Sequence, residues 1–396
     1  MTTNRAPTSP RRLLLSARHR VAPMAASAPI RVVVAGGGVA GLETLMALHA
    51  LGGARVELTL VAPDDEFVYR PLAREEPFAV GRARRIPLDA AARDADATYV
   101  AATVEAVDAN RKVVSPSAGH PLKYDALVLA VGADTVPAVA HAMTWDDRAD
   151  AELLGGLLQD IEQGYSRRLA VVIPPGPAWP LRGYELAVHI ALEARGESMD
   201  LRTTLIAPEP SPLSALGSRA VELVSEELAR AGVDVVSAAE VEVEKGRAVV
   251  LQPSGRRLEV DRVLALPGLR GRPIPGVPAN AEGFVEVDEH CRVRGIDGVW
   301  AAGDGTAFAL KSGGYAAEQA DVSAEDIAAG AGAAIDARPF DPSGREPFAG
   351  LPDGPFLKAW LSEGDDDGLT IGLPATGIPM LTYLQRDLAA SWRNRA

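Results

Sequence analysis

The residues with the clearest chemical capacity are Gly36, Gly38 and Gly41, a Gly-x-Gly-x-x-Gly turn that follows the apolar run 32–35. Gly36 can adopt a tight turn, Gly38 has no Cβ to hold the backbone away from phosphates, and Gly41 lets a following helix lie close to the strand. That helix would direct its N–H groups and positive end at an anion. The spacing therefore predicts a strand, a turn and a helix that hold the pyrophosphate of a dinucleotide.

A second glycine-rich element lies far downstream, where Gly303, Asp304 and Gly305 follow the short apolar run 298–302. Its carboxylate is suited to accept hydrogen bonds from sugar-like hydroxyls. Residues 312–314, Ser-Gly-Gly, then predict another helix N-terminus, which would stabilise an anion or a ring carbonyl that gains charge.

Composition and charge narrow the function classes. The chain has 396 residues, of which 47% are hydrophobic and 23% charged, and this predicts two or three domains with real cores. Beyond residue 42, 34 basic residues stand against 53 acidic ones. Such an acidic body argues against nucleic acid or an anionic membrane surface as the primary partner.

Cysteine and histidine usage limits the site chemistry further. Cys291 is the single cysteine, which excludes an internal disulfide, a Cys-x-x-Cys redox pair and a cysteine-based metal site. The histidines are scattered without metal-ligand spacing, so no metal site is predicted. We expect Cys291 to be a buried, unreactive thiol.

The two ends of the chain differ in character from its middle. Residues 1–29 are rich in Arg, Ser, Ala and Pro and are interpreted as a disordered leader, or as an upstream start before Met24, rather than as a twin-arginine export signal. Residues 339–396 form a small C-terminal segment, with Leu381, Leu384, Leu388 and Trp392 at helical spacing. A packed terminal helix is preferred over a membrane-surface anchor, which predicts a cytoplasmic protein with peripheral membrane association as the alternative.

An internal repeat indicates the architecture. The segment 59–63, Thr-Leu-Val-Ala-Pro, recurs at 204–208 as Thr-Leu-Ile-Ala-Pro, and each copy follows a strand and a helix. Similar apolar strands close the two units at 125–132 and 261–268. Continuous apolar strands are typical of parallel sheets buried on both faces, whereas the alternating segments 98–107 and 233–260 predict small antiparallel ribbons. The chain is therefore predicted to be α/β, with one β-α-β nucleotide-binding fold inserted into another.

Several motifs together resemble a known family. They are residues 36–41, 124–132 and 287–293, the last leading into Gly303 and Asp304. Over most of residues 30 to 335 the chain resembles the two-dinucleotide-binding-domain flavoproteins of the pyridine nucleotide-disulfide oxidoreductase superfamily, type II NADH dehydrogenases and sulfide:quinone reductases in particular. The resemblance implies two nested Rossmann-like domains. The expected divisions are an FAD-binding domain at 30–145 and 262–338, interrupted by an NAD(P)-type domain at 146–261.

The resemblance also implies the cofactor and its ligands. FAD would lie with its pyrophosphate at the first glycine turn, its adenine on the backbone of Val104, and Gly132 closing over it. Asp304 would accept hydrogen bonds from the ribityl hydroxyls or bind near the pyrophosphate. The helix that starts after Lys311 would face the N1/C2=O edge of the flavin. The implied cofactor-binding residues are Gly36, Gly38, Val39, Ala40, Gly41, Ala62, Arg70, Val104, Gly132, Gly303, Asp304, Gly314 and Tyr315.

Three positions depart from the family pattern or leave alternatives open. Ala62 and Pro63 stand where most such folds place an acid for the adenine ribose, so Asp64 or Asp65 could substitute, or backbone and water could hold the ribose. Arg70 is interpreted either as a ligand for phosphate or an acidic substrate, or as a surface arginine.

The second unit departs more strongly. Residues 174–183 contain four prolines and Trp179 in place of a glycine fingerprint, and each proline lacks an N–H that a phosphate-binding loop would use. Its second strand again ends in Ala-Pro, although Glu209 follows one residue later. Standard NAD(P)H binding is therefore not expected. Glu185 lies in a Gly-x-Glu-Leu-Ala sequence similar to that of type II NADH dehydrogenases.

Glu185 and Lys311 are the candidate catalytic residues. The resemblance implies that Glu185 handles protons or gates access near the flavin, with a helix-surface carboxylate as the alternative. The sequence thus favours an FAD-dependent oxidoreductase acting between a small donor and an acceptor, with a homodimer as a candidate assembly. The alternatives are an NAD(P)H:quinone oxidoreductase and a non-catalytic flavin-binding scaffold or redox sensor, whereas a single cysteine disfavours sulfide oxidation.

Overall fold

The structure is a computed structural model that describes residues 28–68, 85–146, 151–176, 180–216, 218–244 and 248–341. The expectations for the leader before residue 28, for Arg70, for Trp179 and for the segment after residue 341 lie outside the described residues.

Along the described chain, strand–helix units are separated by runs of short strands. The strands β1 to β20 are Ile30–Ala35, Val56–Ala62, Glu66–Val68, Arg85–Pro87, Thr98–Ala101, Val104–Asp108, Val113–Pro116, Leu122–Lys123, Ala126–Leu129, Ala133–Val136, Met143–Thr144, Arg168–Val172, Arg202–Ile206, Asp234–Val236, Glu240–Val243, Ala248–Gln252, Arg257–Glu259, Arg262–Ala265, Gly268–Gly271 and Val299–Ala301. The helices α1 to α6 are Val39–Gly52, Leu88–Asp94, Ala151–Glu162, Leu181–Gly196, Ser218–Ala231 and Gly313–Gly330.

Two five-stranded parallel sheets carry the fold. The first has the order β20-β9-β1-β2-β5 and the second has the order β11-β18-β12-β13-β14. Strand for strand, β1, β2, β5 and β9 of the first sheet correspond to β12, β13, β14 and β18 of the second. The α/β fold with two nested Rossmann-like units is therefore confirmed.

The second sheet extends beyond the expected bounds of 146–261 on both sides. Met143–Thr144 pairs with β18, and Arg262–Ala265 itself pairs with β12, so both strands belong to the second unit. The units are joined by an antiparallel pair, β10 with β19, which carries the chain out of the first sheet and back.

The expected antiparallel ribbons are present but shorter than predicted. They are the three-stranded sheets β6-β7-β8 and β15-β16-β17. Thr98–Ala101 and Asp234–Val236, which the alternation had assigned to ribbons, instead form the outer strands of the parallel sheets because they pair with β2 and β13.

Small side chains bring α6 against α1. Ala40, Ala316 and Ala320 share one buried cluster, while Ala317 and Ala324 pack in the core of the first unit. This packing places the first turns of the two helices side by side. None of the helices in the described ranges is both long enough and apolar enough to span a bilayer.

The internal repeat extends to one ion pair in each unit. Arg31, at the start of β1, donates from Nε and its backbone N–H to Asp125 Oδ2, at 3.0 and 2.9 Å, and from Nη2 to Oδ1 at 3.0 Å. Arg168, at the start of β12, donates from its backbone N–H and Nη2 to Asp261, both at 2.9 Å. Each pair ties the first strand of its unit to the residue before the neighbouring strand.

These pairs predict a matched response to mutation and acid. The arginine hydrogen bonds lower the pKa of Asp125 and of Asp261 from 3.8 to about 2. Their contribution to stability is thus present above pH ~4 and is lost as the pH falls through about 2. Because the pairs are partly solvent-screened, Asp125→Asn and Asp261→Asn should each lower the melting temperature at pH 7 by only about 2 to 4 °C.

Circular dichroism melts between pH 7 and pH 3 check this expectation, with Asp94→Asn at an exposed helix position as the control. The difference between each variant and the wild type should shrink as the pH falls. Unchanged melting of both variants at pH 7 would show that the repeated pair contributes nothing to stability.

Candidate functional site

The first glycine turn requires glycine at two positions for reasons of backbone contact. Gly36 has φ +122°, and a Cβ there would lie 2.1 Å from the carbonyl oxygen of Ala130. A Cβ on Gly41 would lie 1.8 Å from the carbonyl oxygen of Gly36. The turn and the close approach of α1 to β1 thus have the geometry that the sequence predicts.

Gly38 differs, because a Cβ there would meet no atom of the described residues within 4 Å. It is the N-cap of α1 with φ −84° and ψ −169°, no side chain caps the helix, and the first turn contains no acidic residue. Val39 is half-buried and Ala40 is buried behind it. The first turn of α1 therefore presents uncapped N–H groups to open space, which is the environment that a pyrophosphate requires.

Sequence reasoning did not single out Gly37. A Cβ at this position would lie 2.4 Å from Cδ1 of Leu88 and 3.1 Å from Cβ of Ala62. The middle one of the three consecutive glycines is thus needed for the packing of α2 against the turn.

The downstream turn lies against the start of α1, as the nested fold requires. Gly303 has φ +83°, and its added Cβ would lie 3.1 Å from Cβ of Ala40. The Gly303 N–H donates to Oε1 of Gln319 at 2.8 Å, and the Thr306 hydroxyl donates to the Gly303 carbonyl at 2.9 Å. Two regions more than 260 residues apart on the chain therefore meet at one site.

Asp304 and Gly132 lie beside this contact. Asp304 is half-buried, and Gly132, with φ +71°, follows β9. A Cβ on Gly305 would lie 3.1 Å from the carbonyl oxygen of Gly132, so the two turns are close. Gln319, which fixes the Gly303 turn from α6, was not anticipated from the sequence because no local pattern marks it.

Lys311 is a buried ammonium at the start of α6, with 4% of its surface exposed. Its Nζ donates to the carbonyl oxygen of Thr306 and lies 4.4 Å from the centroid of the Phe284 ring. Burial lowers the pKa of Lys311 to about 8, against the opposing effect of the Asp304 charge. Because its pKa stays above neutral pH, Lys311 retains its positive charge there.

The first turn of α6 follows directly. Ser312 caps the helix by accepting from the Tyr315 N–H at 3.3 Å, Gly314 is half-buried, and Tyr315 is 6% exposed. Tyr315 belongs to the main hydrophobic cluster of the second unit. The start of α6 therefore lies where the two units meet.

The end of β2 forms another part of the site. Ala62 is fully buried, whereas Asp64 and Asp65 are exposed. The Tyr99 hydroxyl donates to the Asp64 carbonyl at 2.7 Å, which fixes the turn through its backbone and leaves both carboxylates at the surface. Val104 is half-buried and begins β6 opposite Pro116, where the register shifts.

The second unit keeps one feature of a dinucleotide turn and replaces the others. The Ile173 N–H donates to the carbonyl oxygen of Ile206 at 2.9 Å. In the first unit, the Gly36 N–H donates in the same way to the carbonyl oxygen of Val61 at 2.8 Å, so Ile173 takes the position of the first glycine. A Cβ on Gly183 would lie 2.5 Å from Cγ1 of Ile173, so this glycine keeps the helix close to the strand as Gly41 does. The connection runs through eleven residues, 173–183, compared with six, 36–41.

The beginning of α4 also differs from that of α1. Pro180 is its N-cap in the right-handed helical region, with φ −63° and ψ −29°. Pro174 and Pro175 precede it in the connection and supply no N–H groups.

Glu185 lies two residues after Gly183 and is 3% exposed, so the alternative of a helix-surface carboxylate is wrong. Its neighbour Tyr184 is fully buried, and the Tyr184 hydroxyl donates to Oε2 of Glu209 at 2.5 Å. Burial raises the pKa of both groups, and for Tyr184 the adjoining Glu209 adds to the effect. Glu209 could be singled out from the sequence as an acid after the second Ala-Pro, whereas no local pattern marks Tyr184 as its partner.

Cys291 is fully buried, and desolvation raises the pKa of its thiol to about 12. The predicted burial of this thiol is confirmed, and its lack of reactivity stays a prediction that the raised pKa supports.

Comparison with known proteins agrees with this geometry. Residues 30–323 match the family described as pyridine nucleotide-disulphide oxidoreductase. An NADH dehydrogenase-like protein of Mycobacterium tuberculosis is 32% identical over 299 residues, which cover 69% of this chain and 72% of the relative. An Arabidopsis thaliana protein named alternative NAD(P)H-ubiquinone oxidoreductase C1 is 25% identical over 332 residues, 72% of this chain and 62% of the relative.

Among solved structures, the sulfide:quinone oxidoreductase of Aquifex aeolicus superposes with a TM-score of 0.68 at 20% identity. The superposition covers 75% of this chain and 76% of the other, and it shows a shared fold.

Proposed function

The chain belongs to the pyridine nucleotide-disulphide oxidoreductase family and is a flavin-dependent oxidoreductase; from this premise we propose that its first unit holds FAD and passes electrons between a small donor and an acceptor. The observation that carries the proposal is Gly38, a helix N-cap without a side-chain cap, where an added Cβ would meet none of the described residues within 4 Å. FAD would supply the redox chemistry, and the chain would supply binding, orientation and electrostatics.

The described residues divide this work among them. The N–H groups at the start of α1 would bind the pyrophosphate, and the exposed carboxylates of Asp64 and Asp65 would accept from the adenine ribose. Asp304 would accept from hydroxyls of the ribityl chain. The positive charge of Lys311 and the N-terminus of α6 would stabilise negative charge at the flavin ring edge.

We further propose that the second unit does not bind NAD(P)H in the standard manner. Ile173 fills the position of the first glycine, and the connection to α4 contains prolines that lack N–H donors. Glu185 would then act as a buried proton-handling group of the second unit rather than as part of a nucleotide site.

A second candidate function is an NAD(P)H:quinone oxidoreductase. The names of the Mycobacterium and Arabidopsis relatives favour it, as does the buried Glu185 in its Gly-x-Glu-Leu-Ala sequence. Against it stand the same prolines and Ile173.

Anaerobic mixing of the purified holoprotein with NADH or NADPH, followed at the flavin absorbance, separates the candidates. We expect slow bleaching with both nucleotides, complete bleaching with dithionite as the control, and fast bleaching with at least one small donor of a panel. Fast bleaching by NADH or NADPH would instead establish the second candidate. A flavin that no physiological type of donor reduces would point to a non-catalytic scaffold.

A further inference from the structure

The two units present the carboxylates after their second strands in opposite ways. In the first unit, Tyr99 bonds to the backbone of Asp64, and the side chains of Asp64 and Asp65 stay exposed. In the second unit, Tyr184 bonds to the side chain of Glu209 itself. Both acids follow an Ala-Pro sequence at the carboxyl end of the second strand.

The bond between Tyr184 and Glu209 spans the crevice of the second unit. Tyr184 lies in the first turn of α4, and Glu209 lies in the turn after β13. In an open α/β sheet, a dinucleotide binds in the crevice between these two elements. An acid at the end of this strand accepts hydrogen bonds from the ribose hydroxyls.

Glu209 is further engaged from its own turn. The Leu213 N–H lies 3.3 Å from Oε2 of Glu209 and 3.4 Å from Oη of Tyr184. Tyr184 and Leu213 are both fully buried members of the hydrophobic cluster of the second unit. One oxygen of the half-buried Glu209 carboxyl group thus accepts from both the Tyr184 hydroxyl and the Leu213 N–H.

We propose that Tyr184 is a specificity-determining residue that withholds Glu209 from the ribose of an adenine dinucleotide and so excludes such ligands from the second unit. A carboxylate that recognises a ribose diol needs both oxygens, and here Tyr184 and Leu213 occupy one of them. A ligand would have to break this partly buried hydrogen bond between Tyr184 and Glu209 before it could bind. This inference deepens the proposed function by assigning the loss of nucleotide binding to a particular side chain.

Titration calorimetry of the FAD-loaded holoprotein with ADP-ribose tests the inference. ADP-ribose carries the adenosine and pyrophosphate of a dinucleotide but no nicotinamide, so binding is measured without electron transfer. We expect little or no saturable binding by the wild type and an affinity at least about tenfold higher for Tyr184→Phe, which keeps the ring and frees the carboxylate. Tyr184→Phe combined with Glu209→Gln should return to the wild-type affinity.

Tyr165→Phe, at a side chain 69% exposed, is the matched control and should behave as the wild type. If Tyr184→Phe does not fold, Tyr184→Leu serves in its place with the same expected gain. Equal affinities of the wild type and the folded Tyr184 variant would overturn the inference, as would a gain that survives Glu209→Gln. The flavin spectrum of each sample reports separately on the first unit, so a missing flavin would count against the proposed function alone.

Discussion

Replacing Gly38 by alanine is expected to leave the chain folded while weakening its binding of FAD by about 10- to 100-fold. The backbone of Gly38 has φ −84° and ψ −169°, which alanine adopts readily, and the new methyl group would meet no atom within 4 Å in the part of the chain that the structure describes. That methyl group would instead enter the space at the start of α1 that the pyrophosphate requires. The flavin content of the purified variant and its circular dichroism spectrum measure the two effects.

Two further glycine variants make the Gly38 result interpretable. Gly41→Ala forces a methyl group to 1.8 Å from the Gly36 carbonyl, so it should lose both flavin and folded structure. Gly196 lies at the end of α4, and among the described residues no atom lies within 4 Å of an added Cβ, so Gly196→Ala should keep both. Full flavin binding by Gly38→Ala would mean that the pyrophosphate does not lie at this turn.

Lys311→Met is expected to raise the free energy of unfolding and to slow flavin reduction. The folded protein holds Lys311 with a pKa of about 8, below the ordinary 10.5, because burial disfavours the charged form. Between these pH values the unfolded chain carries a proton that the folded chain has released, so wild-type stability rises with pH across this interval. Removing the lysine should raise the free energy of unfolding at pH 7 by about 1 to 3 kcal/mol.

That gain should shrink as the pH rises from about 8 to 10.5, which urea unfolding at several pH values measures. In the proposed function, the same variant should slow flavin reduction by at least about tenfold, because a fixed positive charge near the flavin is lost. The wild-type rate should fall as the pH rises through about 8, and the variant should lack this step. Lys123→Met, at an exposed position, is the control.

An unchanged rate and pH profile in Lys311→Met would remove Lys311 from the catalytic candidates. A lower stability of the variant at pH 7 would instead mean that the hydrogen bond of Lys311 to Thr306 and its contact with the Phe284 ring outweigh the cost of burying the charge.

The sequence predicted the features that depend on local pattern. Continuous apolar runs gave the parallel strands, and the glycine spacing gave the turn at Gly36 and the contact at Gly41. The repeated Ala-Pro segments revealed the second unit. Each apolar run, glycine turn and Ala-Pro segment is only a few residues long, and neighbouring residues of this kind determine backbone conformation and burial on both faces.

The features that the sequence did not reveal depend on contacts between distant residues. Gln319 reaches Gly303 across sixteen positions, and Tyr184 reaches Glu209 across twenty-five. The outer strand β11 has only two residues, too few for a periodic pattern, so the boundary at 146 fell after it. Packing of whole elements determines these pairings, and no local spacing encodes them.

The cofactor content of the wild-type chain tests the central claim most directly. The protein purified in native form should show a flavin absorption spectrum and, on titration with FAD, should reach one FAD for each chain. A native, folded protein that carries no flavin and takes up none from added FAD would contradict the account.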